Sequence, residues 1–192
     1  MALRAALLAR RGAQDEVAVE QRSQALTAVV HASDAWRHAP SIAAFYGVRR
    51  EPHTVALLTS VLALGKALWL PAVRGDRLAF FRVRALSELA PAPFGLMEPI
   101  GAPGEPERSL GELAPALVLV PGLAFSRSGA RIGFGRGYYD RALAPLRART
   151  DCTRMGIGFD AFLDPPEGPI PMAAHDVPMH AVATELALHV VD

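Results

Sequence analysis

The chain has 192 residues, 51% of them hydrophobic and 20% charged, a balance that fits one domain over residues 1–192 with a sizeable core. A formal net charge of +1 gives no electrostatic case for nucleic acid. The one cysteine, Cys152, excludes an internal disulfide, and no stretch approaches the ~18 consecutive apolar residues that span a membrane.

The N-terminal stretch to Arg11 is arginine-rich and free of acids, with Leu3, Leu7 and Leu8 on one helical face. Arg4 interrupts its apolar run and no small-residue cleavage site follows, which argues against a signal peptide. Residues 15–33 read as a helix with Val19, Leu26, Val29 and Val30 inward, and 41–46 as a strand ending at Tyr46. A second helix is expected over 54–64, with Thr54 as N-cap and Gly65 as stop. Strands follow over 67–70 and 78–83. Residues 87–115 are rich in Pro and Gly and read as a long loop with at most a turn of helix, the kind of segment that often binds a ligand. Residues 116–120 form an apolar run that reads as a strand buried on both faces. A helix over 137–149, a strand over 154–159, a second Pro-rich loop over 164–178 and a last strand over 181–190 complete the chain. Strands alternating with helices predict an α/β fold, a three-layer α/β/α sandwich with a Rossmann-like mixed sheet and helices on both faces. Ligands in such sheets bind beyond the carboxyl ends of the strands, where Tyr46, Glu51 and the loop after the buried strand converge.

That loop is the most informative stretch of the chain. In Arg131-Ile132-Gly133-Phe134-Gly135-Arg136-Gly137-Tyr138-Tyr139-Asp140, three glycines alternate between arginines and open a helix. Glycines let backbone N–H groups approach an anion, and arginines add forked, charge-assisted hydrogen bonds to phosphate oxygens. Asp140, one turn into the helix, suits a magnesium ion carried by a nucleotide. The spacing matches neither a Walker loop nor the dinucleotide fingerprint. Three alternating glycines are by themselves weak evidence, but strand, glycine loop, helix is the order that phosphate-binding loops require.

The run Val120-Pro121-Gly122-Leu123-Ala124-Phe125 and Gly129 through Arg141 resembles the signature of the 5-formyltetrahydrofolate cyclo-ligase family. Other stretches carry the same resemblance in order. They are Leu3-Arg4, Trp36 to Tyr46, Glu51-Pro52-His53-Thr54, Gly65-Lys66 with Leu70-Pro71, Gly95-Leu96-Met97-Glu98-Pro99, and His175-Asp176-Val177-Pro178-Met179 with Thr184-Glu185. The family's reaction uses ATP to phosphorylate the formyl oxygen of 5-formyltetrahydrofolate, so that N10 closes the ring to 5,10-methenyltetrahydrofolate as phosphate leaves. The resemblance therefore implies ATP as co-substrate, Mg²⁺, a reduced folate as the other substrate, and a monomeric cytoplasmic enzyme. By it, Arg4 and Arg131 through Tyr139 would hold ATP, with Arg136 also balancing developing charge. Glu51 and Tyr46 would face the folate, with Glu51 also catalytic. Asp140 and Asp176 would hold the metal. Without the resemblance, Glu51 before Pro52 reads as an exposed loop residue and Asp140 as an acid complementing a helix dipole. Met97 and Met172 read as packing residues. One of Tyr138 and Tyr139 is expected to pack inward while the other meets ligand.

Three positions depart from the family. The lysine usually found three residues before Leu-Arg would precede Met1, and three accounts stay open: a start assigned late, Arg10 or Arg11 taking over its role, or weaker ATP binding. Ser126 stands where aspartate is common, and His53 and His180 stand where many relatives carry aspartate. Two other functions stay open. One is an ATP-dependent enzyme acting on another formyl or acyl substrate. The other is a nucleotide- or folate-binding relative without catalysis.

Overall fold

The structure is a computed structural model and describes residues 2–101, 106–173 and 176–191. In chain order its helices and strands are α1 (Ala2–Gly12), α2 (Glu16–Ala32), α3 (Asp34–His38), β1 (Ser41–Ala43), α4 (Val55–Ala63), β2 (Ala67–Arg74), β3 (Arg77–Val83), β4 (Leu89–Pro91), β5 (Met97–Pro99), α5 (Leu110–Leu113), β6 (Leu117–Pro121), β7 (Ala124–Phe125), β8 (Arg131–Ile132), α6 (Tyr138–Leu143), β9 (Thr153–Ile157), β10 (Ala181–Ala183) and β11 (Leu188–Val190). Seven strands form one sheet in the order β11-β10-β9-β6-β1-β2-β3. The five inner strands are parallel, and the edge strands β11 and β3 are antiparallel to their neighbours.

Alternation along the inner strands sends side chains to two faces. Ile42, Leu117, Leu119, Ala181 and Ala183 pack with Leu26 and Val30 of α2, Trp36 of α3, and Leu57, Leu58 and Val61 of α4. Ala43, Val118, Val120 and Val182 face the other way, onto Leu110 of α5, Leu143 of α6 and Leu146. These are the three layers expected from the alternating elements. β1 is the switch point. The chain runs from it to β2 on one side and later returns to β6 on the other, so the loops leaving β1 and β6 diverge and open a crevice between them.

Several boundaries differ from the sequence reading, each for a local reason. The expected strand over 181–190 is a hairpin of β10 and β11, because Thr184 to Ala187 turn on the Thr184 hydroxyl, which accepts from the N–H groups of Leu186 and Ala187. The helix expected over 137–149 is α6 alone, followed by a short 3₁₀ turn over Ala144–Leu146 that contains Pro145, which has no N–H to continue the α-helical ladder. The first strand stops at Ala43. β2 runs past Pro71 to Arg74, and beyond Trp69 it pairs with β3 and no longer with β1. The loop over 87–115 contains a small antiparallel ribbon, β4 with β5. Thr54 precedes α4 but makes no side-chain cap. Its hydroxyl donates to the Phe45 carbonyl at 2.7 Å and accepts from Gly47 N–H at 2.9 Å, closing the loop that carries Glu51. In α1 the inward line is Leu3, Leu7 and Arg11, four residues apart, so Leu8 falls outside it and is 42% exposed.

Candidate active site

The crevice at the switch point holds a cavity of about 760 Å³. The segment Phe45 to Glu51 after β1 forms one end of it, and the glycine loop between β8 and α6 forms the other. The end of β2, Leu78 of β3 and residues from the β4–β5 ribbon make an apolar side wall.

β7 and β8 form a two-stranded ribbon that carries the chain from the sheet to the glycine loop. Gly135 has φ +93° and Gly137 φ +68°, left-handed values that side chains with a Cβ rarely adopt. A Cβ at Gly135 would also crowd the Arg4 guanidinium at 3.3 Å. Arg4, from α1, donates through Nε to the Gly133 carbonyl at 2.9 Å, so the N-terminal helix braces the loop from outside. Arg131 forms an ion pair with Asp140 and stands 5.9 Å from the centroid of the Tyr139 ring. All the residues expected at ATP from the sequence, Arg4 and Arg131 through Tyr139, line this one cavity, as do Tyr46, Glu51, Asp140 and Asp176. His175 lies outside the described residues.

Both tyrosines line the cavity, and Tyr139 is the one that packs inward. Tyr138 donates to the Gly75 carbonyl at 3.3 Å. Tyr139 buries a hydroxyl that has no hydrogen-bond partner among the described residues. That burial pushes its phenol above the usual range, the negative charge of Glu51 adds to the push, and Arg131 opposes it.

Glu51 is the largest departure from the bland reading of the sequence, because it is only 5% exposed. Its Oε2 accepts from Val48 N–H at 3.1 Å and its Oε1 from Arg11 at 3.5 Å. Burial raises its pKa, while Arg11, the Val48 N–H and Arg49 pull it down. Arg49 and Arg50 both have positive φ (52° and 61°), so the loop turns sharply just before Glu51.

Arg10 and Arg11 do not line the cavity. Arg10 pairs with Glu167 at 2.7 Å and lies over Phe162, and Arg11 is buried behind Glu51. Lys66 donates to the carbonyls of Trp36 and Arg37 at the end of α3, away from the site. His53 bonds Glu20 at 2.7 Å and so joins α2 to the Glu51 loop. The Ser126 hydroxyl accepts from Ala130 N–H at 3.0 Å and closes the β7–β8 turn. Met172 is 48% exposed and does not pack as expected, and Met97 both packs on the core and lines the cavity. Sequence reasoning did not assign Glu98 to the site. It lines the cavity and accepts from Val73 N–H at 3.2 Å, tying the ribbon to β2, and its position in Gly95-Leu96-Met97-Glu98-Pro99 was the available signal.

For magnesium, the described residues contain no cluster of three or more His, Cys, Asp or Glu able to hold a metal. Asp140 and Asp176 on the walls of one cavity fit an ion held by one or two carboxylates with substrate phosphates and water. No helix is long and apolar enough to cross a membrane among the described residues.

Comparison with known proteins bears on what this cavity serves. Residues 1–185 match the model of the 5-formyltetrahydrofolate cyclo-ligase family. The chain is 36% identical over 188 residues to a 5-formyltetrahydrofolate cyclo-ligase of Mycolicibacterium smegmatis, covering 95% of this chain and 91% of that one. It is 27% identical over 172 residues to the mouse protein of the same name, covering 86% and 83%. The solved structure of Aquifex aeolicus 5,10-methenyltetrahydrofolate synthetase superposes with a TM-score of 0.81 at 26% identity, covering 98% of this chain and 91% of that one. With its α/β fold and with sequence agreement along nearly its whole length, the chain belongs to the 5-formyltetrahydrofolate cyclo-ligase family.

Proposed function

We propose that this protein is a monomeric cytoplasmic enzyme that converts 5-formyltetrahydrofolate to 5,10-methenyltetrahydrofolate, consuming ATP in the presence of Mg²⁺ and releasing ADP and phosphate. The observation that carries the reading is one cavity with a glycine loop and arginines at one end and a buried carboxylate at the other. A formyl oxygen on nitrogen is a poor leaving group, and phosphorylation makes it a good one. The protein's task is then to hold two substrates in line and to neutralise charge.

In this reading the N–H groups of the loop from Gly133 to Gly137 cradle the phosphates, and Arg4, Arg131 and Arg136 balance their charge. Asp140 and Asp176 would hold Mg²⁺, which supplies charge neutralisation at the phosphate oxygens. The Arg131–Asp140 pair opens as the phosphates take over Arg131. The apolar wall of Tyr46, Pro71, Leu96 and Met97 takes the flat rings of the folate, and Glu51 accepts hydrogen bonds from its polar edge. As folate and phosphates fill the crevice they displace water, so the reactive oxygen meets phosphate rather than solvent.

The test follows absorbance of the methenyl product from 5-formyltetrahydrofolate with ATP and Mg²⁺ together and with each omitted. Product only when both are present is the expected result. Folded protein that gives none overturns the reading in favour of a non-catalytic binding relative or another acyl substrate, which nucleotide and folate binding measurements separate.

A further inference from the structure

Behind Glu51, away from the cavity wall, lies an arginine that no substrate reading accounts for. Arg11 ends the inward line of α1 and is 5% exposed. Its Nη2 donates to the carbonyls of Gly122 at 2.5 Å and Leu123 at 3.2 Å, where the chain leaves β6 for the ribbon that carries the glycine loop. Its Nη1 reaches Glu51 Oε1 at 3.5 Å. The guanidinium carbon sits 5.5 Å from the ring centroid of Phe134, in the glycine loop, and 5.6 Å from that of Phe162. Arg11 therefore touches both halves of the site without itself lining the cavity. Among the described residues Glu51 receives one protein donor on each oxygen, and a carboxylate oxygen can accept two. One acceptor direction on each oxygen thus remains for a substrate.

We propose that Arg11 is a positioning residue, fixing the Glu51 carboxylate in the orientation that meets the folate and tying it to the start of the glycine-loop ribbon. The proposal rests on the reading that Glu51 contacts the folate. The groups that face Glu51 are Arg11 from α1, Arg49 from its own loop and Tyr139 from α6. Arg11 is the buried cation among them, and its charge opposes the upward push that burial gives the carboxyl. The pair is buried, which strengthens its attraction.

The experiment compares Arg11→Met, Arg11→Gln and Arg11→Lys with the unsubstituted protein and with Glu51→Gln, after circular dichroism shows which are folded. In Arg11→Met the KM for 5-formyltetrahydrofolate is expected to rise about tenfold while the KM for ATP changes less than about twofold. The acid limb of kcat/KM for the folate is expected to move up by about one pH unit, because Glu51 loses its cation. Arg11→Lys, which restores the charge, should return that limb to its original place. If Arg11→Met does not fold, Arg11→Gln carries the same measurement, since it keeps a donor for the Gly122 carbonyl without the charge. An unmoved acid limb in a folded uncharged variant, or folate and ATP KM values that rise together, overturns the proposal. Unchanged folate kinetics in Glu51→Gln overturns the reading of Glu51 itself. A strong effect there with a silent Arg11→Met removes only the positioning role.

Discussion

At the glycine-loop end of the cavity the chain offers main-chain N–H groups and arginines, set on a loop whose shape comes from Gly135 and Gly137. At the other end it offers a buried carboxylate, closed in by a turn and held by an arginine from a helix forty residues earlier in the sequence. The first end is shaped mostly by one continuous stretch, with Arg4 added from α1, and is partly exposed and cationic. The second depends on long-range contacts, and there burial pushes the carboxyl pKa up while Arg11 and the Val48 N–H pull it down. A phosphate-binding surface can be built from backbone geometry, which a short motif encodes. A buried carboxylate needs donors brought in from elsewhere, since an unpaired buried charge is too costly to keep.

The largest effect is expected at the carboxylate end. A Cβ on Gly47 would fall 2.0 Å from the Pro52 carbonyl oxygen, which belongs to the backbone and cannot swing away. Gly47→Ala should lower stability by about 1–3 kcal/mol, a fall in Tm of roughly 2–12 °C, and cut folate turnover far more than ATP binding. Thermal melts and separate KM values check it, and equal damage to both ligands would show that the two ends are not separable. At the other end, Arg136→Ala should raise the KM for ATP about 10–100-fold, the loss of one or two charge-assisted hydrogen bonds, with folate KM within about twofold. Steady-state kinetics with each substrate varied in turn would break the comparison if the folate KM rose as much.

The smallest effect lies outside the cavity, at a pair that holds the chain just after Asp176. The Arg154 guanidinium donates to the Pro178 carbonyl at 3.0 Å and approaches the His180 ring at 2.5 Å. Burial and then Arg154 hold the His180 pKa below its ordinary value of 6.5, so the unfolded chain takes up this proton before the folded one. The stabilisation is thus present above about pH 6.5 and fades as pH falls below it. Between pH 7.5 and 5.5 the unsubstituted protein should lose about 2 °C of Tm that His180→Asn does not lose. Melts of both across that range test it, and parallel slopes would remove His180 as the cause.

Much of the fold was legible because each helix and inner strand carries its own period. The alternation of α2, β1, α4, β2, β6 and β9 was readable to within a few residues, and so was the start of α6. The errors fell where a single residue's local bonding overrides pattern, as with Thr184 in the final hairpin and Pro145 after α6. The β4–β5 ribbon was missed because three-residue strands carry too little pattern. In the site, the glycine loop stood out in one continuous stretch. Glu51 was found by resemblance, although its neighbours alone suggested an exposed turn.

Residue type and order were enough for the alternating α/β architecture and for the glycine loop before α6 as an anion-binding candidate, while the family resemblance supplied Arg4, Tyr46, Glu51 and Asp176. Only the packed molecule shows that Arg11 turns away from the cavity to hold Glu51, that Arg131 and Asp140 pair, and that Glu98 joins the wall. The reason is range. Backbone shape and amphipathic period are properties of neighbouring residues, whereas the partner of a buried charge is chosen by whichever elements the packing of α1 and the sheet brings within a few ångströms of it.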